Sequence, residues 1–155
     1  MIVATLALPI KGKSVLLGIK KKKIGGGLWN GFGGRVKPSD SSVENAACRE
    51  LYEEVRLTAR TLTKVGVVKF LLDEVPTWEV HIFLVKEWEG TPTETGEMGN
   101  PKWFFRSQIP YSKMLPADRH WLPLVLHGHS IQGVARYNAQ ATELRDFTFS
   151  EKSFV

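Results

Sequence analysis

Short apolar runs, separated by glycine, proline and charged residues, dominate the pattern along this chain. Runs of this length, bounded by turn-forming residues, favour strands over long helices. Turns are predicted at Gly12, at Asp73–Pro76 and at Asn100–Pro101. The predicted strands cover residues 2–8, 14–19, 62–72, 78–86 and 103–105, with two more inside 131–149.

Two segments depart from the strand pattern and predict helices. In residues 42–55 an apolar residue recurs every four positions (Val43, Ala47, Leu51, Val55), which makes one side of a helix apolar. Ser41 and Glu44 have the S-x-x-E spacing of a capping box at its start. A second helix is predicted at 118–127, where Pro123 must lie in the first turns or kink the helix. Strands mixed with two separated helices predict an α/β domain whose sheet is covered on both faces.

Length and charge narrow the class of protein. The 155 residues suit one domain, residues 1–155, with one sizeable core. The formal net charge is +5, from 21 basic and 16 acidic residues, which favours an anionic ligand without identifying nucleic acid. Much of the excess lies in Lys20–Lys23, for which a solvated surface run and a phosphate-facing role are equally supported.

The sequence predicts neither a membrane span nor an export signal. Its longest apolar stretch, Ile2–Ile10, is too short to cross a bilayer and lacks the flanks of a signal peptide. The single cysteine, Cys48, cannot form an internal disulfide, which fits a reducing compartment. We therefore expect a cytoplasmic monomer, or a nuclear or mitochondrial one in a eukaryotic cell, without a membrane partner.

Three carboxylates and a glycine-rich segment are the features that suggest chemistry. Residues 20–34 contain six glycines, a composition that permits close approach of the backbone to a ligand. Glu50, Glu53 and Glu54 follow at helical spacing and lie on one side of the first helix. Their mutual repulsion would be relieved by a divalent cation such as magnesium, and Arg49 is placed to orient one of them. For these acids alone, a solvated acidic helix face is the alternative.

These features together resemble the Nudix box, G-x5-E-x7-R-E-U-x-E-E-x-G-U, in which U is a bulky apolar residue. Gly34 begins the pattern, and Arg49-Glu50-Leu51-Tyr52-Glu53-Glu54 matches its R-E-U-x-E-E core in full. The chain departs from the pattern twice. The spacing from Gly34 to Arg49 is one residue longer, so the first acid is either Asp40 or is lost to Ser41. Arg56 stands where the pattern has its second glycine.

Nearly the whole chain, from Thr5 to Phe149, resembles the animal MutT homologues. These are the oxidised purine nucleoside triphosphatases, best known for 8-oxo-dGTP. It implies the Nudix fold, a mixed β-sheet sandwiched between α-helices, and a pyrophosphohydrolase that removes oxidised purine nucleotides from the pool. The stretches that carry it outside the box are Trp29-Asn30-Gly31-Phe32-Gly33-Gly34, Gly90-Thr91-Pro92, Glu97-Met98 and Trp121.

For the chemistry, the resemblance implies magnesium, with manganese as the alternative, bound by the helix carboxylates. Water attacks a phosphorus, usually the β, and the products are the nucleoside monophosphate and pyrophosphate. Glu54 is favoured as the general base over Glu53 and Glu97, and Arg49 supports the carboxylates. The implied metal ligands are the Gly34 carbonyl, Glu50, Glu53, Glu54 and Glu97.

For the nucleotide, the resemblance implies that Asn30 and Asp118 bond to the purine. A second aspartate and a pocket tryptophan are replaced by Ala117 and Leu115, so we expect only a moderate preference for 8-oxo-dGTP over dGTP. Core packing is the alternative for the apolar positions of the pocket wall. The remaining substrate-binding positions implied are Thr5, Lys20, Phe70, Leu72, Trp78, Met98 and Trp121.

Two other functions are also compatible with this sequence. A Nudix hydrolase with a different substrate would act on ordinary dNTPs, capped RNA or a nucleotide sugar. A non-catalytic nucleotide- or RNA-binding module is the third hypothesis, although a pure binder has no need of three clustered carboxylates. No stable nucleic-acid partner is expected.

A few chemically versatile side chains are predicted to be structural. His127 and His129 have no further metal ligands nearby in sequence, so they are interpreted as surface or packing residues. Cys48 is predicted to be a small, at least half-buried helix residue. Trp88 and Trp103 are predicted to pack in the fold.

Overall fold

The computed structural model describes residues 1–22 and 26–155, so Lys23 of the lysine run and Ile24-Gly25 of the glycine-rich segment lie outside the described residues. The described part contains ten strands, two α-helices and two short 3-10 helices, Arg106–Gln108 and Tyr111–Lys113. The helices are α1 (Val43–Val55) and α2 (Asp118–Leu126). The strands are β1 (Ile2–Lys11), β2 (Ser14–Lys20), β3 (Trp29–Asn30), β4 (Thr58–Ala59), β5 (Thr63–Leu72), β6 (Val75–Val85), β7 (Trp88–Glu89), β8 (Met98–Phe105), β9 (Ile131–Tyr137) and β10 (Leu144–Glu151).

Eight of the strands form one mixed sheet in the order β10-β9-β5-β6-β1-β2-β3, with β8 also paired to β2. Two pairs, β1 with β6 and β5 with β9, are parallel, and the other neighbours are antiparallel. Strands β4 and β7 form a separate two-stranded sheet.

Both faces of the large sheet are covered, as the sequence predicts. Successive residues of a strand point to opposite faces, so Leu8 enters one apolar cluster and its neighbour Ala7 enters another. The first cluster includes Leu122 and Val125 of α2, and the second includes Leu51 and Val55 of α1. The mixed sheet sandwiched between helices is therefore confirmed.

Three local predictions differ from the structure. Ser42, not Ser41, caps α1, because its side chain accepts a hydrogen bond from the Asn45 backbone N–H at 3.0 Å. The turn between β5 and β6 is confined to Asp73 and Glu74, both with positive φ. Pro76 already belongs to β6, where it pairs with Leu71 of β5. It lies before Trp78, where the pairing of β6 with β1 begins. A proline is tolerated there because its missing N–H has no strand partner on that side.

The third difference concerns β8, which begins at Met98 instead of residue 103. Asn100 adopts a φ of 47°, a left-handed conformation that asparagine tolerates better than most residues. Pro101 follows within the strand, where β2 is the one partner of β8 in the described part of the chain. An irregular edge strand accommodates this proline, so the predicted turn is a distortion inside a strand.

The end of α1 supplies a prediction about stability. Arg56 caps the helix in a left-handed conformation, with φ 63° and ψ 27°, at the position where the Nudix pattern has glycine. Its guanidinium bonds to the Tyr52 and Glu53 carbonyls and lies over the Tyr52 ring, which offsets part of the strain. Arg56→Gly should be more stable than Arg56→Ala by about 1 kcal/mol, because only glycine is unstrained at this φ. Urea unfolding of the two variants measures the difference, and equal midpoints would contradict this account.

Candidate active site

Gly33 and Gly34 run tightly between β1 and α1. The Thr5 backbone N–H donates to the Gly34 carbonyl at 2.9 Å. A Cβ on Gly33 would lie 1.8 Å from the Thr5 carbonyl oxygen, and one on Gly34 would lie 2.7 Å from the Glu50 carboxylate. Any side chain at either position would therefore displace the backbone or an acidic side chain of the site.

Glu54 lies in the last turn of α1 and points inward to this loop. Its carboxylate accepts a hydrogen bond from the Gly33 backbone N–H at 2.8 Å, and the residue is only 7% exposed. Burial raises the pKa of Glu54 to about 8, and the negative charges of Glu50 and Glu97 add to the rise. The Gly33 hydrogen bond and the Lys20 charge oppose it. Glu54 is thus the one acid of α1 that is buried.

Arg49 joins the loop to the acidic side of α1. Its guanidinium makes two hydrogen bonds of 2.8 Å to the Asp40 carboxylate, and its Nη1 donates to Glu50 at 2.9 Å and to Glu53 at 3.2 Å. The Arg49 hydrogen bonds lower the pKa of Asp40 to about 2, with help from the Lys37 backbone N–H. This fork fixes the directions of three carboxylates at once.

The Arg49 fork also decides between the two alternatives for the first acid. Asp40, which five residues separate from Gly34 as in the x5 spacing, contacts Arg49, whereas the Ser41 hydroxyl bonds to the Asn45 side chain. The additional residue of this chain therefore lies between Asp40 and Arg49. The aspartate retains the acid–arginine pair of the pattern with a side chain one methylene shorter.

A second group of predicted residues lies on the opposite face of the sheet, around the start of α2. Asp118 is only 3% exposed, and one carboxylate oxygen accepts a hydrogen bond from the Trp121 indole N–H at 3.0 Å. Its other oxygen is buried and has no partner within residues 1–22 and 26–155. Burial raises the pKa of Asp118 to about 7, and the Trp121 hydrogen bond opposes the rise. An unpaired acid in an apolar cluster points to a polar ligand.

Aromatic residues extend this second group along β5 and β9. Phe70 stacks on Tyr137 with ring centroids 6.0 Å apart, and the Tyr137 hydroxyl accepts from the Ala117 backbone N–H at 2.8 Å. Trp78 pairs directly with Phe70 across β5 and β6. The other predicted pocket residues that belong to or pack against this cluster are Leu72, Ala117 and Trp121, and Leu115 is half-buried just before them.

The structure separates some predicted pocket residues from this group. Met98 is buried in the second cluster, against α1, together with Phe32. The alternation of β1 places Thr5 on the Ala7 side of the sheet, where its hydroxyl is buried and has no partner in the described chain. Asn30 accepts a hydrogen bond from the Gly31 backbone N–H at 2.9 Å.

Comparison with known proteins places these features in a family. Residues 2–125 match the family described as the NUDIX domain. The chain is 43% identical over 141 residues to the oxidized purine nucleoside triphosphate hydrolase of Mus musculus, covering 90% of this chain and 89% of the mouse protein. The chain belongs to the Nudix family. The protein of the same name from Danio rerio is also 43% identical, over 134 residues, with 86% of this chain and 85% of that protein covered.

Solved structures agree with the Nudix assignment at the level of the fold. The MutT protein of Bacillus halodurans superimposes with a TM-score of 0.84 at 21% identity, covering 97% of this chain and 98% of that one. None of the helices in the described part of this Nudix chain is long and apolar enough to cross a membrane.

Nudix hydrolases depend on a divalent cation, and the residues around α1 have the chemistry to hold one. In the described residues no three acidic, histidine or cysteine side chains converge within ligand range, and Glu50 and Glu53 are both hydrogen-bonded to Arg49. The donor set nonetheless consists of carboxylate and carbonyl oxygens, the ligands that hard cations prefer. Burial is the main cause of the raised pKa of Glu54, and the charges of Glu50 and Glu97 add a smaller repulsion that a cation would relieve.

Two residues that support the candidate site have no clear local signal in the sequence. The Gly33 backbone N–H holds Glu54, which the Gly33-Gly34 pair signals only by requiring a close approach of the backbone. Tyr137 supports Ala117 and Phe70, although it lies far away in sequence and no local pattern marks it.

The remaining versatile side chains are structural, as predicted. His127 bonds to the Pro123 carbonyl and His129 to the Glu151 carboxylate, and both histidines are exposed. Trp88 and Trp103 stack with centroids 5.5 Å apart and pack against the second cluster. Cys48 is half-buried, and burial raises the pKa of its thiol.

The buried Asp118 gives the stability of the protein a specific pH dependence. Because its pKa in the folded chain is raised to about 7 from 3.8, its contribution is full below pH 3.8 and is lost as the pH rises through 7. Between pH 5 and pH 8 the wild type should lose about 3 kcal/mol of unfolding free energy that Asp118→Asn does not lose. Urea titrations at both pH values measure the difference. The same change in unfolding free energy between pH 5 and pH 8 in wild type and variant would contradict the burial of this acid.

Proposed function

We propose that this Nudix chain hydrolyses oxidised purine nucleoside triphosphates, such as 8-oxo-dGTP, to the monophosphate and pyrophosphate in the presence of magnesium. The observation that carries the proposal is the buried Glu54, bonded to Gly33 and flanked by the carboxylates that Arg49 orients. Oxidised purine nucleoside triphosphate hydrolases from two vertebrates, each 43% identical, support this choice of substrate.

The proposed metal ligands are the Gly34 carbonyl, Glu50, Glu53, Glu54 and Glu97. When bound, magnesium supplies charge neutralisation on the triphosphate and a lower pKa for water. Glu54 is the proposed general base, because it is the most deeply buried of these acids and its pKa is already raised. Arg49 is a positioning residue, which holds Glu50 and Glu53 through its fork on Asp40.

In the proposed reaction, water attacks the β-phosphorus and the nucleoside monophosphate is the leaving group. The oxygen of water bonds to the β-phosphorus while the bond from that phosphorus to the α–β bridging oxygen breaks. The monophosphate leaves with the bridging oxygen, and the water proton passes to Glu54. Hydrolysis in ¹⁸O-water should therefore place the label in pyrophosphate, whereas label in the monophosphate would indicate attack at the α-phosphorus.

The base is proposed to bind on the α2 face, with Asp118 and Asn30 bonding to the purine edge and Phe70, Leu72, Trp78 and Trp121 forming the wall. Burial of Asp118 allows its carboxyl group to stay protonated near neutral pH and to donate a hydrogen bond. Ala117 and Leu115 offer no polar or aromatic contact, so related purine triphosphates should also be cleaved. Lys20 is a further proposed substrate contact, and so are Thr5 and Met98, although these two lie on the α1 face of the sheet.

A substrate panel tests the function. We expect kcat/KM to follow the order 8-oxo-dGTP, then dGTP and dATP, then dCTP, with only a moderate gap between the first two. Pyrophosphate release should disappear with EDTA and return with magnesium, and manganese is the matched second metal. Higher kcat/KM for a nucleotide sugar or capped RNA would replace the proposed substrate. Nucleotide binding without hydrolysis would instead establish a binding module.

We also propose that the chain acts as a cytoplasmic monomer without a stable nucleic-acid partner. The single Cys48 and the moderate net charge of +5 support this view. Light scattering after size exclusion should give a mass near 17.4 kDa. A dimer at micromolar concentration would contradict it.

A further inference from the structure

A cavity at the end of the sheet away from Glu54 has a composition suited to a ligand. It is an open cavity of about 580 Å³, within the range of small-molecule sites of about 300–1,000 Å³. Ile10 lines it at the far end of β1, five residues beyond Thr5, which corresponds to roughly 16 Å along the strand. The cavity is therefore separate from the Gly33–Glu54 region.

The inner wall of this distal cavity is apolar. Leu84, Val125 and Leu126 line it, and all three are buried, with at most 8% exposure. They come from the end of β6 and the last turn of α2. Such a wall takes the hydrocarbon or ring portion of a ligand, not an ion alone.

The rim of the distal cavity is basic. Lys86, Arg106 and His127 line it, and no acidic side chain is among its described lining residues. Neither Lys86 nor Arg106 forms an ion pair with any residue in 1–22 and 26–155, whereas the nearby Arg60 is paired with Glu89. Two uncompensated cations from different segments, above an apolar wall, give a field that favours an anionic head group.

The cationic side chains are held on ordered backbone. The Arg106 N–H donates to the Lys13 carbonyl at 3.1 Å, which fixes the start of the 3-10 helix against the β1–β2 turn. His127 donates its Nδ1–H to the Pro123 carbonyl at 2.7 Å, which holds the ring at the edge of the cavity. Two full positive charges match a phosphate dianion better than a singly charged carboxylate.

We propose that the distal cavity binds a phosphate monoester with an apolar body, its phosphate on Lys86 and Arg106 and its body on Leu84, Val125 and Leu126. This site goes beyond the proposed hydrolase function and does not depend on it. The same helix contributes Asp118 at its first turn and the cavity wall at its last.

Octyl phosphate is the probe, titrated calorimetrically into the full chain in EDTA, which keeps divalent cations from the α1 carboxylates. We expect one site, with affinity rising roughly tenfold from hexyl to octyl phosphate as two methylenes are buried. Lys86→Gln and Arg106→Gln should each weaken binding about tenfold. Lys113→Gln, an exposed lysine outside the cavity, is the matched control and should bind like wild type.

Three results would overturn the proposal. Equal affinity of wild type, Lys86→Gln and Arg106→Gln would place the probe elsewhere. Equal binding of 1-octanol would remove the need for an anion, and equal binding of octanoate would remove the preference for phosphate. Circular dichroism and an unchanged urea midpoint in the two variants exclude misfolding, and neither measurement depends on the proposed hydrolase activity.

Discussion

Glu54→Gln is expected to lower kcat for 8-oxo-dGTP by at least about 100-fold while the fold is preserved. The amide is nearly isosteric, and its oxygen can still accept the hydrogen bond that the Gly33 N–H donates at 2.8 Å. What it loses is the ability to take a proton from water and to ligate a cation as a carboxylate. Steady-state kinetics at saturating magnesium measures the effect.

Glu44→Gln is the matched control for the Glu54 prediction. Glu44 lies in the first turn of the same helix and is exposed. Glu44→Gln should keep kcat within about twofold, since Glu44 touches no residue of the proposed site.

The Glu54→Gln protein should also lose most of the thermal stabilisation that magnesium gives the wild type. Near-normal kcat in this variant would show that another acid is the base.

Asp118→Ala is expected to lower kcat/KM for the preferred purine by about 5- to 150-fold, equivalent to about 1–3 kcal/mol. The wild-type acid is buried with one oxygen lacking a partner, so its removal takes away the hydrogen-bonding group available to the base edge. The apparent magnesium affinity should not change, because α1 is untouched. Measuring kcat/KM for 8-oxo-dGTP, dGTP, dATP and dCTP shows whether selectivity falls with activity.

Arg119→Ala is the matched control on α2. Arg119 is the next residue, is exposed, and should leave all four kcat/KM values within about twofold. Asp118→Asn separates the carboxylic acid from a neutral amide of the same shape. Equal rates on purines and pyrimidines in the wild type, unchanged in Asp118→Ala, would show that the base is bound in another way.

Most of the helices and strands could be predicted from the sequence, because the periodicity of apolar residues that specifies them involves only residues close together in the chain. The four-residue apolar period of α1 is a property of neighbouring residues, and Leu51 and Val55 are buried as that period requires. The predictions failed where a segment's conformation depends on its strand partner. Pro76 and Pro101 signal turns in isolation, yet each lies in a strand at a place where a missing N–H has no cost.

The sequence by itself determined the chemistry of the candidate site: the spacing of Glu50, Glu53 and Glu54, the arginine before them and the glycines that precede the helix. Helical periodicity places those acids on one side whatever surrounds them. The family resemblance, carried by the same residues, was confirmed by the match of residues 2–125 to the NUDIX domain.

Only the tertiary structure decided how each acid differs from its neighbours. Glu53 and Glu54 are adjacent in sequence, but packing against Gly33 buries one and leaves the other exposed, and burial is what raises the pKa of Glu54 to about 8. The choice of Asp40 over Ser41 likewise required the long-range position of Arg49. Desolvation and hydrogen-bond geometry depend on residues distant in the chain, so no local pattern contains them.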